Sequence, residues 1–193
     1  MDLFISNMCQ AGFIHKETSK LPYQHPFLFC HFLEEDFVRF VDDFNNINFH
    51  NYKKLSYDES RVYLRRDIYN WDALNKILGI KTEDTPVIEF ENGIQISYPH
   101  ILSKEFDEKY KKRLDRFLNL KDKNITFLFR VRSFMDKTSV DRFYNANNFN
   151  KIILFDGNVS YTSLYEENEK TKIHITCSEH HQLVEELKER KLI

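Results

Sequence analysis

The chain has 193 residues, 41% hydrophobic and 30% charged, which fits a single globular domain over residues 1–193 rather than a disordered segment. Its formal net charge of −2 leaves no basic surplus to neutralise phosphates, so nucleic acid is not expected as its main partner. No apolar run reaches the roughly 20 residues of a spanning helix, and no basic segment precedes an apolar run near Asp2, so we expect neither a membrane span nor a signal peptide but a cytoplasmic protein.

The first half of the chain gives helix and strand signals of unequal strength. Apolar periodicity predicts a short strand at 3–6, a helix from Cys9 to about Ser19 and an amphipathic helix from Leu33 to Phe44. The stretch 47–68 has a weaker pattern that suggests two short strands. Further on, a helix is expected between the N-cap Asn70 and the stop at Gly79, and Asn92-Gly93 between two β-rich runs predicts a hairpin.

From residue 100 onward, predicted helices and strands alternate. In order, they are a helix capped by Ser103 and ending near Leu120, a strand in NITFLFRVR, a helix near 138–147, strands in KIILFD and KIHITC, and a last helix that starts at Thr176 or Ser178. This alternation predicts an α/β fold in which a mostly parallel sheet is flanked by helices, in Rossmann-like or flavodoxin-like layering, with one β-hairpin.

Polar side chains collect where the predicted strands end. In open α/β sheets, ligands bind beyond the carboxyl ends of the strands, so these residues are expected to meet at one edge. They are Ser6, Asn7 and Cys9 after the first strand, His100 after IQISY, Arg130 and Arg132 after ITFLF, and Asp156 after IILF.

This set of groups has the composition of a cysteine-nucleophile site. A thiol at a helix N-terminus has a lowered pKa, a histidine can take and return its proton, and a carboxylate can orient the histidine. The hypothesis makes Cys9 the nucleophile, His100 the general base and Asp156 the orienting group, in the chain order of papain-like enzymes. Substrate contacts are assigned to Ser6, Asn7, Gln10, Arg113 and Arg130.

Each member of the proposed triad also has an ordinary interpretation. Free cysteines are among the most buried residues, so Cys9 could simply pack, and Cys177, which also follows a strand, is the rival thiol. Cys30 lies in PFLFCHF and is expected in the core. His100 could be a solvated histidine, and Asp156 before Gly157 could be a turn residue.

Arg113 falls inside the apolar stripe of the long helix, between Tyr110 and Phe117. A guanidinium on that face points toward protein, where an unpaired charge is costly. Two roles stay open for it, namely a structural pair with a core carboxylate or a clamp for an anionic group near His100.

The sequence predicts no cofactor and no metal. With only four glycines, neither a GxGxxG nor a P-loop pattern can be written, and no CxxC or HExxH occurs. His25 and His31 lie six residues apart in a loop-rich region, and His180 and His181 are adjacent, so neither pair has metal-ligand spacing.

A series of short motifs over residues 3–156 resembles two related bacterial families. One is the papain-like cysteine peptidases; the other is an uncharacterised family often encoded with exopolysaccharide-biosynthesis genes. The matching segments are ISNMCQAG, Pro26-Phe27, EEDFVRFVDDF, ISYPH, EKYKKRLDRF and FLFR. The resemblance implies a cysteine–histidine site and a glycan-related substrate.

These sequence features suggest three alternative functions. The first is acyl transfer or hydrolysis through a thioester on Cys9, acting on a small-molecule, acyl or glycan substrate. The second is a transferase that uses sugar nucleotides, or a glycan-binding protein, in which Ser6, Asn7, Arg113 and Arg130 hold a phosphorylated sugar. The third is a non-catalytic interaction domain that uses the aromatic loop 21–32.

Overall fold

The computed structural model describes residues 2–18, 25–66, 85–120, 124–132, 135–146, 150–155, 165, 172–176 and 180–193. The strands are β1 (Asp2–Ser6), β2 (Tyr52–Lys54), β3 (Val87–Phe90), β4 (Gln95–Ser97), β5 (Asn124–Val131), β6 (Asn150–Phe155) and β7 (Lys172–Thr176). The α-helices are α1 (Gln10–Thr18), α2 (Glu34–Asp43), α3 (Tyr57–Arg66), α4 (Phe106–Asn119), α5 (Lys137–Asn145) and α6 (His180–Glu189). Short 3-10 turns occupy Phe44–Asn46 and Ser103–Glu105.

The main sheet has the order β1-β5-β6-β7, and every neighbouring pair in it is parallel. Alternate residues of a strand face opposite sides, so β5 sends Phe127 and Phe129 to one face and Leu128 to the other. The first face packs against α2, α4 and α5, and the second against α1 and α6. The sheet is therefore the middle layer of an α/β fold with helices on both sides, as predicted.

The helix α2 shows how the core is built from a helical stripe. Phe37, Phe40 and Val41 are fully buried, at the i, i+3, i+4 spacing of one helix face. Glu34 and Glu35 occupy the first turn, where the helix dipole favours negative charge. The Phe37 ring packs against the Phe127, Phe129 and Phe143 rings at centroid distances of 6.3, 5.7 and 5.8 Å, and this cluster joins the helix to the main sheet.

A second, antiparallel sheet has the order β2-β3-β4. Its β3–β4 hairpin turns at Asn92-Gly93 as predicted, and Gly93 has a φ of 76°, which a residue without a Cβ adopts readily. A single antiparallel bridge adds His31 to β4: His31 N–H donates to Ser97 O at 2.8 Å, and Ser97 N–H donates to His31 O at 2.9 Å. This bridge draws the loop before α2 against the hairpin.

Several local predictions need correction. The segment 47–68 holds one strand, β2, and a helix, α3, instead of two strands. Ser103 does not cap the long helix, because α4 begins after a 3-10 turn and its N-cap position is Glu105, which makes no side-chain cap bond. The strand before His100 is β4, which is antiparallel and belongs to the second sheet, so it shares no edge with the parallel strands.

The predicted helix between Asn70 and Gly79, the possible turn at Asp156-Gly157 and the predicted start of the last helix at Thr176 or Ser178 lie wholly or partly outside the described residues. None of the helices in the described ranges has the length and apolarity that crossing a bilayer requires.

Candidate functional site

Cys9 lies in the turn between β1 and α1, directly before the first residue of the helix. Its carbonyl accepts a hydrogen bond from Phe13 N–H at 3.2 Å, so the helical ladder already starts at the cysteine. The Ser6 hydroxyl accepts from Ala11 N–H at 3.1 Å and donates to the Met8 carbonyl. Ser6 therefore closes the turn and holds the thiol at the N-terminal end of α1, where the helix dipole favours the thiolate.

Asn7 continues the β1–β5 ladder with its side chain. It is 1% exposed. Its Nδ2 donates to Arg130 O at 3.1 Å, and its Oδ1 accepts from Arg130 N–H at 2.9 Å. Its own N–H donates to Leu128 O at 3.3 Å, while its carbonyl accepts from Phe32 N–H at 3.0 Å. These four bonds fix the strand end from which the cysteine turn leaves.

The structure brings Cys9 and His100 together, 91 positions apart in sequence. The Cys9 Sγ lies 3.4 Å from His100 Nε2, which is hydrogen-bonding distance for sulfur. His100 is exposed and lies in the turn that follows β4. The pair predicted from the order of strand ends is thus formed, although His100 reaches the thiol from the second sheet rather than from a parallel strand.

A second histidine, His31, also contacts the Cys9 thiol, through a side-chain hydrogen bond and a charge interaction. It is only 5% exposed, and its backbone N–H and C=O are both hydrogen-bonded to Ser97. Strand β4 therefore positions both histidines: His31 by pairing, and His100 by chain continuity three residues after Ser97.

Sequence reasoning missed this role for His31. The one available signal was a polar side chain inside the apolar run PFLFCHF, because a buried imidazole needs a hydrogen-bond partner.

The environment lowers the pKa of the Cys9 thiol from 9.0 to about 6. Burial acts in the opposite direction and raises the pKa, because it disfavours the charged thiolate. The charge interaction with His31 and the hydrogen bonds from His100 and His31 outweigh that effect. At neutral pH, the thiolate is therefore the main form of Cys9, and the thiolate is the nucleophilic form of cysteine.

The remaining predicted contact residues lie at different depths. Gln10, the first residue of α1, is 2% exposed, and within the described part of the chain its Oε1 has no hydrogen-bond partner. Arg130 is half-buried and gives its backbone to Asn7. Its neighbour Arg132 places Nη2 3.6 Å from the Sδ of Met8, the residue before the cysteine.

Arg113 is half-buried and faces inward, as its position on the helix predicted. Its charge acts on two fully buried side chains, His25 and Tyr98. Burial, the neighbouring His15 and the Arg113 guanidinium together keep the pKa of His25 well below its ordinary value. The structure thus joins Arg113 to a buried polar group in the core, and whether it also contacts a substrate stays a prediction.

Of the other two cysteines, Cys30 lies in the core and Cys177 lies outside the described residues. Cys30 is fully buried, its thiol donates to Phe27 O at 3.2 Å, and burial together with nearby Cys9 raises the pKa of the Cys30 thiol well above its ordinary value. It is a core cysteine, as expected. Cys177 and Asp156 lie outside the described residues. In the ranges that the structure does describe, no group of three or more histidine, cysteine or acidic side chains is arranged to hold a metal ion.

Comparison with known protein families gives a match that covers most of the chain. The model for DUF1919, a domain of unknown function, matches residues 3–189. The chain belongs to the DUF1919 family. Cys9, His31 and His100 all fall inside the matched range, so the site belongs to the body of the DUF1919 domain. Neither the papain-like peptidase family nor the exopolysaccharide-linked family is shown by this match. No curated protein and no solved structure matches the chain.

Proposed function

We propose that this DUF1919 protein is a cysteine-dependent acyltransferase or hydrolase with Cys9 as its nucleophile and His100 as its general base. The observation that carries the proposal is the 3.4 Å contact between Cys9 Sγ and His100 Nε2, in a setting that lowers the pKa of the thiol to about 6. A buried structural thiol has the opposite signature, as Cys30 shows, since burial raises its pKa and the thiol donates to a backbone carbonyl.

In the first half-reaction, the Cys9 thiol gives its proton to His100, and the resulting thiolate attacks the carbonyl carbon of an ester, amide or thioester. A carbon–sulfur bond forms, and the carbonyl π electrons move to the oxygen. When the tetrahedral intermediate collapses, the leaving group departs with a proton from the His100 imidazolium, and the acyl group remains on sulfur as a thioester. His100 suits this proton transfer because it is exposed and lies 3.4 Å from the Cys9 sulfur.

In the second half-reaction, water or an acceptor hydroxyl gives its proton to neutral His100 and attacks the thioester carbonyl. The carbon–sulfur bond breaks, and the thiolate is restored. Buried His31 has a different place in this scheme: it stabilises the thiolate as it leaves, because it is held beside the sulfur by its pairing with Ser97.

The first turn of α1 supplies the donors for the intermediate. Helix N-termini present backbone N–H groups and a positive dipole end, which together stabilise an oxyanion. We place that oxyanion at the N–H groups of Cys9 and Gln10, beside the turn closed by Ser6. The Gln10 side chain, buried at the start of the helix, carries the one side-chain amide in the Gln10–Thr18 segment.

A glycan or glycan precursor is the substrate class we nominate, on the resemblance of the sequence motifs to the exopolysaccharide-linked family. The observed hydrogen bonds favour acyl chemistry over the alternative in which the Ser6 and Asn7 side chains bind a phosphorylated sugar. Both of those side chains are engaged within the protein, by Ala11 and Arg130. No observation among the described residues favours a non-catalytic interaction domain.

Acyl trapping tests the proposal directly. The folded protein is incubated with p-nitrophenyl acetate, and the acylated residue is identified by mass spectrometry of the intact chain and its peptides. We expect an acyl group on Cys9, none in Cys9→Ser, and slower turnover of the acyl-enzyme in His100→Gln. Cys30→Ala is the matched control and should acylate like the wild type. Absence of acylation at Cys9 in the wild type, or equal rates in wild type and His100→Gln, would overturn the proposal.

A further inference from the structure

Phe29 has a backbone conformation that bulky residues rarely adopt. Its φ is 55°, in the left-handed region. A side chain with a Cβ stays in this region only when surrounding contacts hold it there, and such residues concentrate at functional sites. The contacts of the Phe29 ring show which residues keep it in this conformation and which residues it supports.

The Phe29 ring lies between the nucleophile helix and the catalytic histidine. It meets the His100 ring edge-on, with centroids 5.3 Å apart and planes at 62°. It also meets the Phe13 ring of α1 edge-on, at 5.5 Å and 81°. Phe29 therefore touches the element that carries Cys9 and the side chain that pairs with it.

Gly12 provides the space for this ring. A Cβ built on Gly12 would lie 2.5 Å from Cδ1 of Phe29, a separation that packed carbon atoms do not reach. Glycine weakens a helix interior, so its presence in α1, one turn after Cys9, needs a reason. The close approach of the Phe29 ring is that reason.

His100 needs such a support because it lies in a turn and is exposed. A general base works only when its nitrogen is held within hydrogen-bond reach of the proton it moves, and misplacement by about 1 Å costs on the order of a hundredfold in rate. We propose that Phe29 is a positioning residue, seated on Gly12, which holds the His100 ring against the Cys9 sulfur. The inference rests on the proposed function, because it assigns a role within the Cys9–His100 pair.

The experiment measures iodoacetamide alkylation of Cys9 across pH, with the modified residue identified by mass spectrometry. Phe29→Ala removes the ring, Gly12→Ala pushes it from the other side, and Phe29→Tyr keeps it. Phe90→Ala, a buried phenylalanine of β3 away from the site, is the control for loss of stability alone. Circular dichroism confirms that each variant is folded before it is titrated.

We expect Phe29→Ala and Gly12→Ala to raise the alkylation midpoint by about one pH unit, so that the thiolate fraction at pH 6.5 falls about threefold. Phe29→Tyr and Phe90→Ala should keep the wild-type midpoint. In a His100→Gln background, Phe29→Ala should have no further effect, because a residue that acts through His100 has nothing left to position.

The outcomes separate this inference from the function beneath it. A wild-type midpoint near that of an ordinary thiol refutes the proposed function. A low wild-type midpoint that Phe29→Ala and Gly12→Ala leave unchanged refutes only the role of Phe29, as does an effect of Phe29→Ala that persists in His100→Gln. If Phe29→Ala does not fold, the Gly12→Ala titration decides by the same criterion.

Discussion

The two histidines beside Cys9 should contribute unequally to the acidity of its thiol. The charge interaction with His31 is the largest influence that lowers the pKa, ahead of the hydrogen bond from His100. We therefore expect His31→Gln to raise the thiol pKa further than His100→Gln does. Glutamine can keep a hydrogen bond at either position but removes the titratable imidazole. The two variants therefore compare how strongly the charge of each histidine lowers the pKa of the Cys9 thiol.

The size of the effect follows from the pKa of about 6, set against the ordinary value of 9.0. At pH 7, a thiol of pKa 6 is about 90% ionised and one of pKa 9 about 1%, a ratio of roughly ninety. Nucleophilicity falls as the pKa falls, with a Brønsted slope of about 0.45, which removes about a factor of twenty over three units. The net gain in rate at pH 7 is thus only about fourfold, so a single-pH comparison would understate the role of the histidines.

The assay is therefore the midpoint of the alkylation profile, measured between pH 4 and pH 10 with Cys9 resolved by peptide mass spectrometry. The wild type should titrate near pH 6, as the lowered pKa requires. Each single variant should shift the midpoint upward, with His31→Gln shifted more, and the double variant should reach or exceed the ordinary value of 9.0, because burial then raises the thiol pKa with neither histidine to oppose it. A wild-type midpoint above 8, or variants that leave the midpoint in place, would refute the reasoning.

Three further predictions concern stability and access. Asn7→Ala should lower the free energy of unfolding by about 2–4 kcal/mol, because it removes the two side-chain hydrogen bonds to the backbone of Arg130 at a part-buried position. A urea titration checks this, and a loss below about 0.5 kcal/mol would contradict it. Folded protein should show no alkylation of buried Cys30, whereas urea should expose it; early modification without urea would count against its burial. The pKa of the Cys9 thiol is lowered on folding, so ionisation stabilises the fold above about pH 9, and this gain disappears as pH falls through about 6. Cys9→Ala should therefore lose about 2 kcal/mol more at pH 9 than at pH 5, half the full linkage because the thiol is partly exposed; equal losses at both pH values would oppose this.

The parallel core could be predicted because its periodicity is local. The stripe of α2 and the buried strand β5 are strong patterns in a short window, and the structure confirms both. Helix α3 was missed because most of its first seven side chains are exposed, with only Ser60 and Tyr63 buried, so no apolar stripe marks it. A helix segment with so few buried side chains gives no periodic apolar pattern in the sequence.

The site was predicted in part, and the missing part depends on contacts between distant segments. Cys9 and His100 were paired because both were expected to follow strands of one parallel sheet. The two residues do lie together, but His100 follows an antiparallel strand of the second sheet, so the reason for the prediction was wrong. His31 reaches the thiol through a backbone bridge to Ser97, 66 positions further along the chain. No local pattern encodes such a bridge, so the second histidine could not be assigned from spacing.

The second sheet therefore matters more for the chemistry than its three short strands suggest. The main sheet presents the thiol at the end of β1, whereas the imidazoles beside it are held by β4. The contact between Cys9 and His100 is then also a contact between two sheets, and a change in how they pack alters the distance between sulfur and nitrogen. Ser97 links the second sheet to both histidines, because it exchanges backbone hydrogen bonds with His31 and precedes His100 by three residues. We therefore expect changes at Ser97, rather than changes elsewhere in the β3–β4 hairpin, to act on the reactivity of Cys9.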